Sequence, residues 1–192
     1  MIFNLMIAGV GGQGTVLASK LISAAALKKG YDVRTTETIG MAQRGGSVFG
    51  HVRIGENIFS PLIPLGKANV IIAFEPAEAV RQLPYLCKDG AVLTSNKIIP
   101  PAGANRSAGN YESQAMIEFL GKNVSRLIVL DGERLTEKNA KTLNVSLLGA
   151  AAQSGLLPFD TEIFLSVFTE ILPSKFLTMN IEAYELGREL CK

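Results

Sequence analysis

The sequence predicts an α/β fold: a mostly parallel, twisted sheet flanked by helices in three Rossmann-like layers, with a helical C-terminal extension. Three observations carry that expectation. Short apolar runs alternate with longer helix-period segments over residues 1–132. A glycine turn, Gly9-Val-Gly-Gly-Gln-Gly14, joins the first apolar run to the first helical segment. Past residue 132 the helical periods continue with no further strand pattern. The 192 residues therefore read as one domain, with an α/β core over 1–132 and a helical part over 133–192.

Residues 2–8, rich in Ile, Leu, Phe and Met, read as a buried strand. Gly9–Gly14 then turns the chain into a helix over Thr15–Lys29, apolar at Val16, Leu17, Leu21, Ala24 and Ala25. Thr15 is a candidate N-cap. Lys28 and Lys29 complement the negative end of the helix dipole, and Gly30 is a good stop. Tyr31–Thr36 has β-branched strand character. Glu37–Ser47 has neither helical nor strand periodicity and reads as a loop. Ser47–Ile54 alternates like a strand, Gly55-Glu-Asn57 turns, and Ile58-Phe59 returns as a short hairpin arm.

Val70–Phe74 is a continuous apolar run, as a central parallel strand requires. Glu75-Pro76 opens a short helix over Ala77–Leu83, where a first-turn proline is well tolerated. Ala91–Thr94 is a strand and Ile98–Asn110 a loop with two prolines and two glycines. Tyr111–Leu120 is a helix with Met116, Phe119 and Leu120 on one face, and Leu127–Leu130 is the last buried strand. A helix rich in small residues follows over Asn144–Ser154. The next places Phe164, Val167, Phe168 and Ile171 on one stripe, and the last does the same with Ala183, Leu186, Gly187 and Leu190.

Composition excludes several function classes. With 47% hydrophobic residues the chain can fill a core, and a net charge of +2 with scattered basic residues does not track nucleic acid. Two cysteines, Cys87 and Cys191, cannot supply the four thiolates of an iron–sulfur cluster, nor a structural zinc site by themselves. They read as reduced thiols of a cytoplasmic protein, with Cys87 buried near an apolar segment. His51, alone in a strand-like stretch, reads as structural rather than as a general base. No apolar stretch approaches the ~20 residues of a membrane helix, and the amino terminus lacks the basic start of a signal peptide.

Two segments carry chemistry. In the first turn, Gly9, Gly11 and Gly14 have the spacing that lets a backbone approach a ligand while a helix start offers free N–H groups to an anion. Glu37, near the end of the second strand, stands where a dinucleotide-binding domain would hold the ribose. The plain alternative is a tight strand-to-helix turn with no ligand. In the second segment, Arg44 between Gln43 and the Gly45-Gly46 pair is a candidate anion clamp, since a guanidinium grips phosphate or carboxylate in a bidentate manner. A subunit contact competes with that reading. Both segments fall at carboxyl ends of strands, so they are expected to be spatial neighbours.

The pairing of Gly9-Val-Gly-Gly-Gln-Gly14 with Glu37-Thr-Ile-Gly-Met-Ala-Gln-Arg-Gly-Gly-Ser47 resembles the gamma-domain family of 2-oxoacid:ferredoxin oxidoreductases. Within it the resemblance is to a free-standing subunit, and it covers nearly the whole chain. Asn144 with Leu147-Leu148-Gly149 looks like the later part of the family pattern. The resemblance implies oxidative decarboxylation of a 2-oxoacid to an acyl-CoA, with aryl pyruvates such as indolepyruvate as substrates. Thiamine diphosphate, magnesium and iron–sulfur clusters are then expected in a larger alpha subunit, with ferredoxin reached through the complex. This chain would be inactive alone, with no catalytic or metal-binding residue of its own. It would make a coenzyme A contact through Gly9, Gly11, Gly12, Gln13, Gly14, Gln43, Arg44 and Gly45. A nicotinamide-dependent dehydrogenase and a ligand-free interaction module are the competing readings, and exposed apolar surface on the late helices would serve a partner or a homodimer.

Overall fold

A computed structural model describes residues 1–38, 45–100, 111–160 and 162–192. Its frame is a six-stranded sheet made of β1 (Phe3–Val10), β2 (Asp32–Glu37), β3 (Ser47–Gly55), β4 (Ala68–Ala73), β5 (Leu86–Ser95) and β6 (Arg126–Leu130), in the order β2-β3-β1-β4-β5-β6. The strands β1, β4, β5 and β6 pair in parallel, whereas β3 runs antiparallel between β1 and β2. The Glu37–Ser47 segment thus links two antiparallel neighbours, β2 and β3.

Alternation along β1 divides the core into the expected layers. Leu5 and Ile7 face a cluster that takes in α1 (Thr15–Lys28), α5 (Leu143–Gln153), α6 (Ile163–Ile171) and α7 (Ser174–Leu190). Met6 and Ala8 face a smaller cluster under α2 (Pro76–Gln82) and α3 (Ser113–Asn123). Over β1 and β3 that second layer is completed by irregular chain. Ile63 is buried against Met6, its N–H donates to His51 Nδ1 at 3.1 Å, and the Arg53 guanidinium holds the Ser60 carbonyl at 2.8 Å. His51 is therefore a buried acceptor, and desolvation lowers its pKa. Beyond β6 the described residues hold only helices, beginning with the short α4 (Gly132–Thr136).

The helices α5 and α7 cross with almost nothing between their backbones. A β-carbon at Gly149 would collide with the Tyr184 carbonyl, and one at Gly187 with the Ser146 carbonyl. Tyr184, Phe164 and Phe168 fill the space beside this crossing and are fully buried. Lys28 and Lys29, expected to serve the dipole of α1, also reach across to Glu170 and Asp160. Gly30 stops the helix as expected, at φ +84°.

Several local expectations need correction. Thr15 is the first helical residue, and the capping position belongs to Gly14 at φ +83° without a side-chain bond. Ile58-Phe59 does not form a strand, because Asn57 at φ +57° diverts the chain so that Ile58 turns inward and Phe59 outward. Of the face predicted for α3, Leu120 is buried but Phe119 is 48% exposed. Ile171 likewise sits at 38% exposure, past the buried stripe of α6. Cys87 is half-buried, since the run preceding Ala91 belongs to the exposed start of β5. No helix among the described residues is long and apolar enough to cross a membrane.

Candidate functional site

The carboxyl end of β1 is where the two glycine segments meet. The Gly11 N–H donates to the Gly46 carbonyl at 2.8 Å, and the Gly45 N–H donates to the Gly11 carbonyl at 3.3 Å. The register of β1 on β3 ends at Val10 opposite Ser47, so β3 starts beside the turn. The expected proximity of the two segments holds for Gly45 and Gly46. Gln43 and Arg44 lie outside the described residues.

Three of the four glycines of the turn have different reasons to be there. A β-carbon at Gly9 would press on the Gln13 side chain and the Phe74 ring. Gly12, at φ +103°, is exposed and would meet nothing within 4 Å. Gly14 has its left-handed φ and, in addition, no room beside Asn144. Gln13 turns inward: its Oε1 accepts from the Val10 N–H at 2.6 Å and its Nε2 donates to the Phe74 carbonyl at 3.3 Å. Its amide is thus engaged in holding the turn on β1 and β4. Among the described residues, the N–H groups of Gly12, Gly14, Thr15 and Val16 have no acceptor. That is the donor array an anion requires at the start of α1.

Asn144, buried at the start of α5, donates from Nδ2 to the Gly14 carbonyl at 3.1 Å across 130 residues of sequence. A cavity of about 330 Å³ opens in front of the turn, lined by Gly11, Gly12, Gln13 and Gly45 together with Lys97 and Lys141. Lys97 is steadied by the Thr136 hydroxyl at 2.7 Å and by Glu133. Neither lysine stood out in the sequence. Lys97 follows the end of β5, a position the strand-end rule marks, but Lys141 lies on a short 3₁₀ turn that no pattern announced.

A second, smaller space of about 120 Å³ lies on the other side of Val10 and Gly45, lined by Ser47, Glu78, Arg81 and Tyr111. Here two carboxylates are buried at the start of α2. Glu75 caps the helix by accepting the Glu78 N–H at 3.1 Å, and it accepts the Tyr111 hydroxyl at 2.8 Å. Burial pushes its pKa up against those hydrogen bonds, and pushes the Tyr111 hydroxyl up as well. Glu78 is 1% exposed, with Oε1 paired to Arg81 and Oε2 accepting the Ser47 hydroxyl. Glu75 is expected from the sequence only as the opening of a helix and Glu78 not at all, although the Glu75-Pro-Ala-Glu78 spacing at the end of a central strand is visible.

Glu37, the residue a dinucleotide ribose would need, does not join this site. The strand β3 separates β2 from β1, and Glu37 lines a different groove with Ser19, Lys20 and Thr36. Two strand spacings, roughly 9–10 Å, stand between the ends of β1 and β2.

Comparison with known proteins gives a consistent picture. The pattern of the family described as pyruvate ferredoxin/flavodoxin oxidoreductase matches residues 4–190. The chain is 39% identical over 198 residues to the indolepyruvate oxidoreductase subunit IorB of Pyrococcus horikoshii, covering 99% of this chain and 96% of that protein. It superposes with a TM-score of 0.70 and 19% identity on the gamma subunit of a keto/oxoacid ferredoxin oxidoreductase from Geobacter sulfurreducens, covering 98% of each chain. A 2-oxoglutarate:ferredoxin oxidoreductase from Magnetococcus marinus, solved with 2-oxoglutarate, coenzyme A and succinyl-CoA, matches with a TM-score of 0.72 and 17% identity. That match covers 99% of this chain and 31% of the larger one.

Proposed function

The chain belongs to the pyruvate ferredoxin/flavodoxin oxidoreductase family, and we propose that it is the gamma-type accessory subunit of a complex that oxidatively decarboxylates aryl pyruvates, indolepyruvate foremost, to their acyl-CoA products. The observation that carries this reading is the near-full-length identity of 39% to an indolepyruvate oxidoreductase subunit. Chemistry agrees with a division of labour. Two cysteines cannot ligate a cluster that needs four thiolates, so electrons travel through a larger partner subunit to ferredoxin. Thiamine diphosphate and magnesium belong to the same partner.

This chain contributes a binding surface for coenzyme A. The N–H groups at the start of α1 that have no acceptor among the described residues, and the two lysines of the adjoining cavity, suit a diphosphate. Gly12 lets that backbone come close and Gly45 closes the wall. Arg44 and Gln43, next to Gly45 in the sequence, bring a guanidinium and an amide to the same contact. Gly9, Gly11, Gln13 and Gly14 shape the turn. The dehydrogenase reading loses its ribose acid, because Glu37 sits apart from the turn.

Reconstitution tests the proposal. Mixed anaerobically with the thiamine- and cluster-carrying subunit, the chain should restore viologen reduction by indolepyruvate that requires coenzyme A, and alone it should support none. Strong activity of the isolated chain would refute the accessory role.

A further inference from the structure

We propose that Ser47 and Glu78 form a clasp that seats Gly45–Gly46 on the glycine turn, which makes Glu78 a positioning residue for the ligand-facing backbone. The inference rests on the assignment of that turn to coenzyme A. Only two backbone hydrogen bonds, from Gly11 to Gly46 and from Gly45 to Gly11, join the described parts of the two segments beyond the β1–β3 ladder. Gly45 sits at φ +77°, so nothing in its own side chain fixes it there.

The next polar anchor is Ser47. It is an exposed residue, yet its hydroxyl donates to a carboxylate that is itself 1% exposed. Burying an ionised carboxylate is unfavourable unless it is paired and its lone pairs are used. Glu78 meets both conditions with Arg81 on one oxygen and Ser47 on the other. An apolar side chain of similar size would cover the sheet at α2 with less penalty, but it would leave Gly45–Gly46 without a hold. The base of the clasp is fixed in turn, because α2 starts at Glu75, which Tyr111 grips from beyond β5. The carboxylate thus reaches across from α2 to β3 and sets where Gly45 and Gly46 stand relative to Gly11.

Ser47→Ala removes the donor and Ser47→Thr keeps it, and an exposed position tolerates both. In the alanine variant, amide hydrogen exchange at Gly11 and Gly45 should quicken about tenfold, as loss of a charge-assisted hydrogen bond predicts. The threonine variant should return to the original rate, with the melting temperature of both close to the parent's. Unchanged exchange in the alanine variant would overturn the clasp. In the reconstituted complex, the same variant should raise the coenzyme A concentration for half-maximal rate about fivefold, with a smaller effect on the rate at saturation. Faster exchange with an unaltered coenzyme A requirement would keep the clasp and reject the coenzyme A assignment of the turn.

Discussion

A β-carbon added to Gly12 meets no atom within 4 Å, whereas one added to Gly187 is driven into the Ser146 carbonyl. The glycine turn and the α5–α7 crossing use the same residue for opposite reasons. At the turn, glycine supplies backbone angles and leaves empty space in front of the chain, which a ligand can occupy. At the crossing, φ is helical and glycine supplies only the absence of volume, which a neighbouring helix has already taken. Space left open in front of a left-handed backbone leaves room for a ligand, and space already filled marks a joint.

Substitution should expose that difference in graded form. Alanine at Gly187 or Gly149 has backbone carbonyls in its way, so each should lower stability by about 4 kcal/mol or more. The melting temperature would then fall by roughly 10 °C or the protein would be insoluble. A loss of only a degree or two would show that the crossing is looser than described. Gly14→Ala lies between the two regions, since it combines φ +83° with a clash against Asn144. It should cost about 2–3 kcal/mol. Asn144→Ala, which loses the bond to the Gly14 carbonyl, should cost about 1–2 kcal/mol. In the double variant the clash is gone, so the two effects should not add, and a double-mutant cycle in urea would read the coupling.

Gly12→Ala should change stability by only about 1 kcal/mol, from its φ alone. Yet it should raise the coenzyme A concentration for half-maximal rate in the reconstituted enzyme more than any joint variant that still folds. If Gly12→Ala leaves coenzyme A kinetics untouched, the space in front of it is not a site.

The smallest expected effect is a pH signature. The buried acid with a raised pKa, Glu75, lies at the turn end of the molecule, and the stability it contributes is present below its ordinary 4.5 and lost as pH rises through its raised native value. His51, under the β1–β3 half of the sheet, works in the other direction. Its contribution is present above 6.5 and lost as pH falls through its lowered native value, because protonating Nδ1 would break the bond from Ile63. Glu75→Gln should therefore gain stability relative to the parent more at pH 8 than at pH 5. At the crossing, Tyr184 has its pKa raised by burial, so that region stays silent over this range. A Glu75→Gln curve parallel to the parent's would remove Glu75 from this account.

Which of these features the sequence displayed follows from how local each one is. The parallel strands, the turn at Gly9–Gly14 and the helices α1, α5, α6 and α7 were all legible, because each is written in one window of period and punctuation. The antiparallel insertion of β3 was not, because Ser47–Gly55 alternates in the same way whichever neighbour it pairs with. That one unread pairing explains the misplaced role of Glu37. The site was half legible. Its glycines stand in one motif, but Lys97, Lys141, Glu78 and Asn144 arrive from four separate strand or helix ends. Gly187 looked like one more member of an apolar stripe, since periodicity records which face is inward and not how closely the next backbone lies.

The bond between Asn144 and Gly14 also sets a schedule for synthesis. A ribosome that has released residues 1–100 has made the whole glycine turn but not the residue that holds its carbonyl, which comes 130 positions after Gly14. A nascent or truncated chain lacking α5, which packs in the same layer as α1, would display the motif without the bond that holds the Gly14 carbonyl. Finishing the turn is thereby tied to the docking of α5, so half-made copies present the glycines without that hold.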